Sequence, residues 1–184
     1  MRLFTGISID RQVLDQLGET LKQLRTAVPL NWTSVENLHI TSKFIGEWPQ
    51  ARLPELDDAL AAVESPGKLE IDISRVGFFP NPHRPRFFFA GVHSGPGLAL
   101  LAQRIGSALE PLGCAPEARP YTPHLTLARI RDRDFPANVR NLREAIAGMT
   151  NFNFGSFVAD TFHLYLSKPG SAGSEYSILS SFPL

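Results

Sequence analysis

The sequence predicts an α+β fold with largely antiparallel sheets, and two observations predict it. Segments of helical spacing alternate with strand runs that pair as hairpins, unlike the strict strand–helix–strand alternation of a parallel sheet. The element order also repeats. His39-Ile40-Thr41 and His124-Leu125-Thr126 lie 85 residues apart in a chain of 184, each in a strand run followed by a helix and a hairpin.

The apolar opening, residues 1–9, reads as a first strand, because Asp10 and Arg11 cut it off before a secretory or membrane-spanning run can form. Leu14, Leu17, Leu21 and Leu24 then recur at helical spacing, so an amphipathic helix is expected to about residue 26, closed by Pro29. Residues 38–45 read as the first motif strand, with Gly46 and Pro49 marking its exit. A helix over 53–63 follows, with Pro54 suited to its first turn and Pro66-Gly67 at its end. Leu69-Glu70-Ile71-Asp72-Ile73 alternates as a half-buried strand running toward Phe79, and the apolar run 86–92 is its partner across the proline-rich residues 80–85. A third helix over 98–109 stops before Pro111 and Gly113, and the second motif strand spans 124–130. Residues 135–147 make a fourth helix, opened by Asp134 and Pro136. The strands 157–166 and 176–182 close the chain across a Gly/Ser-rich turn at 170–174. No linker separates the halves, so residues 1–184 are expected to fold as one domain.

Composition narrows the function. Apolar residues make up 43% and charged residues 20%, values of a soluble globular protein with ample core. Eighteen basic and eighteen acidic side chains cancel, so long-range attraction to a polyanion is not expected and any nucleic-acid contact should be local. Arginines do cluster, at Arg75, Arg84 and Arg86 and again at Arg119, Arg129, Arg131, Arg133, Arg140 and Arg143, but Asp132, Asp134 and Glu144 among them read as a solvated surface. A single cysteine, Cys114, excludes an intramolecular disulfide and a cysteine-based zinc site, and a cytoplasmic protein is expected.

The i, i+2 spacing of His39 with Thr41, and of His124 with Thr126, turns an imidazole and a hydroxyl to the same face of a strand, with Ile40 or Leu125 behind. Two imidazoles titrating near ~6.5 can have one ring neutral and one protonated at neutral pH. One then takes a proton from water while the other gives one to a leaving ribose oxygen, which suits opening of a cyclic phosphodiester. The threonine hydroxyls would hold the non-bridging phosphate oxygens. A lone strand histidine is more often structural, and so read His163 in its apolar strand, His83 in a turn and His93 at a strand end. Lys43 shares parity with His39 and Thr41 and could add positive charge, or stand as a rim lysine. No His-Glu-x-x-His segment, Gly-x-Ser-x-Gly elbow or complete P-loop supports metal, serine or nucleotide-triphosphate chemistry, and neither metal nor cofactor is expected.

These residues resemble the 2H phosphoesterase superfamily, named for two His-x-Thr/Ser motifs, and within it the RNA 2′,3′-cyclic phosphodiesterases historically called 2′-5′ RNA ligases. Asn37-Leu38-His39-Ile40-Thr41-Ser42-Lys43-Phe44-Ile45-Gly46-Glu47 is similar to the first family motif, and Pro123-His124-Leu125-Thr126-Leu127-Ala128-Arg129 to the second. Met1-Arg2-Leu3-Phe4, Gly77-Phe78-Phe79-Pro80, Arg84-Pro85-Arg86, Tyr176-Ser177-Ile178-Leu179 and Phe182-Pro183-Leu184 extend the resemblance over the chain. Ser42 departs from the aliphatic residue usual there, on the face opposite His39.

The resemblance implies a bilobal fold whose pseudo-symmetric lobes enclose a cleft with one motif from each. It implies hydrolysis of an RNA or nucleotide 2′,3′-cyclic phosphate to a 2′-phosphate, with reversible 2′-5′ RNA ligation beside it. By the same analogy His124 is the base, His39 the acid, and Arg129 a phosphate ligand. Arg129 stands five residues from His124, off-parity on a straight strand, so only a bulge or the strand's end would bring it into the cleft. The expected partners are RNA ends or nucleotides bearing a cyclic phosphate, met by a monomer. The alternative is a module that binds such an end without turnover.

Overall fold

The computed structural model describes residues 1–170 and 173–184, so residues 171 and 172 of the expected turn at 170–174 lie outside the described residues. Short 3₁₀ turns apart, the described elements follow in chain order: β1 (Arg2–Ser8), α1 (Arg11–Ala27), β2 (Asn31–Trp32), β3 (His39–Glu47), α2 (Leu53–Ala61), β4 (Leu69–Phe79), β5 (Phe87–Ser94), α3 (Gly97–Leu109), β6 (His124–Arg129), α4 (Ala137–Ala147), β7 (Asn153–Ala159), β8 (Thr161–Gly170) and β9 (Gly173–Pro183). They build an α+β fold of two lobes. One sheet has the order β3-β1-β8-β9 and the other β2-β6-β5-β4-β7, with antiparallel neighbours throughout the described pairings. Leaving β2 aside, the sheets correspond strand for strand, β3 with β6, β1 with β5, β8 with β4 and β9 with β7.

Local chemistry explains most of the elements. The carboxylate of Asp10 accepts from the Gln12 amide at 2.8 Å and starts α1, whose Val13, Leu17, Leu21 and Leu24 are buried, while Leu14 is only half-buried. Pro54 sits in the first turn of α2, which buries Leu56 and Leu60 and ends two residues before the expected 63. The hairpin of β4 and β5 forms as expected, with Phe79 opposite Phe87 across the turn.

The predicted helix at 135–147 begins later, at Ala137. Asp134 does not cap it. Its buried carboxylate instead accepts from the Arg131 amide at 2.6 Å within a 3₁₀ turn, Asp132–Asp134. The expected strand at 157–166 is two strands in different sheets: β7 ends at Ala159 and pairs with β4, and β8 begins at Thr161 and pairs with β1 and β9. The switch falls at Asp160, whose carbonyl accepts the Leu184 amide at 2.8 Å. Strand β2, two residues pairing with β6, is not anticipated from sequence.

The helices interlock the lobes. Helix α1 follows a strand of the four-stranded sheet, yet packs on β7 and α4 of the other lobe. Helix α3 follows a strand of the five-stranded sheet, yet packs on β3 and α2. Buried side chains from both lobes, among them Leu17, Leu21, Phe88, Leu101, Leu125 and Phe162, belong to one continuous apolar cluster. No described helix is long and apolar enough to cross a membrane.

Candidate active site

The motif strands β3 and β6 lie next to each other, one from each sheet. They run in opposite directions. The Tyr121 hydroxyl, just before β6, donates to the Thr41 carbonyl in β3 at 3.0 Å, while Arg129, at the end of β6, shares a groove with Asn37, just before β3. His39 and Thr41 face the cleft with Ile40 fully buried behind them, and His124 and Thr126 do the same with Leu125.

Both imidazoles are anchored alike. Nδ1 of His39 lies 2.7 Å from the Asn37 carbonyl, and Nδ1 of His124 lies 2.9 Å from the Thr122 carbonyl, in each case two residues upstream. A carbonyl can only accept, so Nδ1 carries the proton and Nε2 is left for chemistry. Asn37 and Thr122 are missed by motif reading alone, although their shared offset is visible once the two motifs are superposed.

Their surroundings differ. Phe4 lies 4.5 Å from the His39 ring, Tyr176 meets it edge-on at 5.0 Å, and Tyr165 lies 5.7 Å away. This burial pushes the His39 pKa below the ordinary value; the Asn37 carbonyl pulls the other way, and positive charge on His124 lowers it further. The two rings sit on the neighbouring strands β3 and β6. His124 is exposed, with Phe89 edge-on at 5.9 Å.

The structure reverses the expected parities of Lys43 and Arg129. In β3 the register against β1 passes from Gly6 opposite Thr41 to Thr5 opposite Lys43, leaving Ser42 unmatched. In β6 the register against β5 passes from Phe89 opposite Thr126 to Phe88 opposite Ala128, leaving Leu127 unmatched. Each motif strand therefore bulges at the third residue after its histidine, and the side chains that follow change face, in β3 as far as a second irregularity at Ile45. Lys43 turns to the core, 3% exposed, where its ammonium donates to the Ala115 carbonyl at 2.6 Å and meets Glu117 at 3.2 Å. Arg129 turns to the cleft, its guanidinium 5.4 Å above the Phe87 ring. The equivalent fifth position after His39 is Phe44, which is exposed under the Arg2 guanidinium. Ser42, as expected, is buried away from His39.

His163 lies on the cleft face of β8, opposite Gly6, which itself stands opposite Thr41. Its Nε2 is 3.3 Å from the Ser8 hydroxyl and its Nδ1 2.8 Å from that of Ser181, and burial lowers its pKa. His83 is exposed in the β4–β5 turn and His93 is exposed near the end of β5. Among the described residues no three His, Cys, Asp or Glu side chains converge as metal ligands would.

Comparison with known proteins bears on this geometry. The family model described as LigT like Phosphoesterase matches residues 7–89 and again residues 92–176, one stretch per motif. The chain is 35% identical over 156 residues to the RNA 2′,3′-cyclic phosphodiesterase of Aeropyrum pernix, covering 84% of this chain and 86% of that protein. It is 29% identical over 182 residues to the protein of the same name from Methanocaldococcus jannaschii, covering 99% and 100%. Among solved structures, TT0787 of Thermus thermophilus superposes with a TM-score of 0.81 at 26% identity, over 100% of this chain and 98% of that one.

Proposed function

The chain belongs to the LigT-like phosphoesterase family, and from that premise we propose that it hydrolyses RNA or nucleotide 2′,3′-cyclic phosphates to 2′-phosphates with its own side chains, acting as a cytoplasmic monomer. The observation that carries this reading is the matched pair of imidazoles on neighbouring strands, each with Nδ1 fixed by a backbone carbonyl two residues upstream. Nε2 of one neutral ring takes a proton from water as the water oxygen bonds to phosphorus. The bond from phosphorus to O3′ breaks, and the other, protonated ring gives its Nε2 proton to O3′. The products are a 2′-phosphate and a 3′-hydroxyl, and proton exchange with solvent resets the rings. Thr41 and Thr126 donate to the non-bridging oxygens, and Arg129 offsets the charge that builds on them. Lys43 acts behind the site, holding the 115–117 segment against β3. Ligation through a 2′-5′ bond follows the same course, with an RNA 5′-hydroxyl attacking phosphorus in place of water and O3′ again leaving; cleavage of that bond is its reverse.

The test is incubation with a 2′,3′-cyclic nucleotide in the presence of a chelator. A 2′-phosphate product is expected, and His39→Ala and His124→Ala should each lower kcat by about 10²–10⁴ while leaving the fold unchanged by circular dichroism. Binding without product at every pH from about 5 to 8, the range over which imidazoles titrate, would instead mean a binding module.

A further inference from the structure

The catalytic groups use the middle of the cleft, and one end of it is made of different material. Asn31, Arg129, Phe87 and Phe79 stand opposite one another in a single row across β2, β6, β5 and β4, so all four face the cleft. Phe79, at the outer end of that row, is 43% exposed. Beyond the row, the β4–β5 turn and the chain leaving β6 are tied together by the Ile130 amide donating to the Arg86 carbonyl at 2.9 Å. These two segments carry Arg84, Arg86, Arg131 and Arg133, all exposed.

Little countercharge accompanies them. Asp132 meets Arg86 at 2.9 Å and Arg84 at 3.8 Å, while Asp134 is buried and turned back onto the Arg131 amide. In these two segments four arginines stand against two carboxylates, so the neutrality of the whole chain conceals a local basic surface. An exposed phenyl ring at Phe79 beside four guanidinium groups that share a single exposed carboxylate suits an anionic chain with flat, stackable units, which is the chemistry of single-stranded nucleic acid.

We propose that this end of the cleft binds the RNA strand leading to the cyclic phosphate, with a base upstream of the terminal nucleotide stacked at Phe79 and the flanking phosphates held by Arg84, Arg86, Arg131 and Arg133. The substrate is then an RNA end several nucleotides long, in preference to a cyclic mononucleotide. This rests on the hydrolytic reading of the histidine pair, and it adds a surface that the chemistry at phosphorus does not use.

The test compares a 2′,3′-cyclic mononucleotide with a six-nucleotide RNA bearing the same cyclic end. KM for the hexamer should be at least about tenfold lower, a gap that closes as salt rises. Phe79→Ala should raise the hexamer KM by about tenfold, leaving kcat and the mononucleotide KM unchanged. Arg84→Glu and Arg133→Glu should weaken the hexamer alone and flatten the plot of log KM against log salt by about 0.7 for each phosphate no longer engaged. Arg84 is 74% exposed in its side chain, so its variant keeps the test alive should Phe79→Ala misfold. Equal KM values for the two lengths, or variants that move both alike, would overturn the proposal. Fluorescence anisotropy with a labelled hexamer ending in a 2′-phosphate separates the two readings. Binding lost in the variants of a protein without turnover refutes hydrolysis and keeps the surface, whereas binding unchanged in the variants refutes the surface.

Discussion

His39 and His124 are held in the same way but work in different surroundings, and the difference sets a pH signature. With Phe4, Tyr165 and Tyr176 around it, His39 favours the neutral ring in the free protein. If it is the acid, as the resemblance implies, kcat/KM should decline on an alkaline limb whose midpoint lies below the ordinary histidine value of 6.5. A bound phosphate monoanion favours the charged ring, so the limb of kcat should lie at higher pH. An NMR titration of His39 should share the kcat/KM midpoint, and an acidic limb at that midpoint would exchange the two roles. Between the lowered folded pKa and about 6.5 the unfolded chain binds the extra proton, so this burial also makes stability rise with pH and reach its full value above that range. The two cationic residues near the motifs predict opposite outcomes. Arg129→Ala should lower kcat/KM by about 10- to 100-fold with an unchanged urea midpoint, since hydrogen bonds to charged groups contribute about 1.5–3 kcal/mol. Lys43→Met should destabilise the fold by about 1–3 kcal/mol, because it removes the donor to a buried carbonyl, and should affect turnover only through the segment leading to Tyr121.

At the scale of elements, the register of β1 against β3 is held by close approach. A Cβ on Gly6 would lie 2.6 Å from the Ile40 carbonyl oxygen, between the histidine and threonine of the first motif. Gly6→Ala should therefore cost about 1–3 kcal/mol of stability, measured by urea unfolding, and reduce kcat by displacing both motif side chains. The same strands show what a sequence can carry. Helix α1 and the β4–β5 hairpin are legible because leucine spacing and turn residues are local signals. The histidine–threonine faces are legible because two residues of strand suffice to define parity. The bulges at Ser42 and Leu127 are not, since a bulge exists only relative to the partner strand, and so the sides taken by Lys43 and Arg129 emerge only from the paired sheet. The switch at Asp160 escapes for another reason: with no Gly or Pro at the break, the apolar residues on either side read as one run while facing the cores beneath two sheets.

For the whole molecule, the crossed packing of α1 and α3 means that neither half owns a complete set of cover helices. We therefore expect one cooperative urea transition, coincident by tryptophan fluorescence and far-UV circular dichroism, and no folded product from residues 1–95 expressed alone. Two separate transitions would show lobes that fold independently. The near equivalence of the lobes has a further consequence at the reaction centre. A cleft with perfect twofold symmetry would accept a cyclic phosphate in two poses related by a half-turn, each placing a different ribose oxygen before the proton donor. It would release a mixture of 2′- and 3′-phosphates. The paired bulges bring the fifth residue after each histidine to the cleft face, where one half presents a guanidinium at Arg129 and the other a phenyl ring at Phe44. That mismatch makes the poses unequal in energy, so the choice of isomer released is set where the two halves have ceased to be copies.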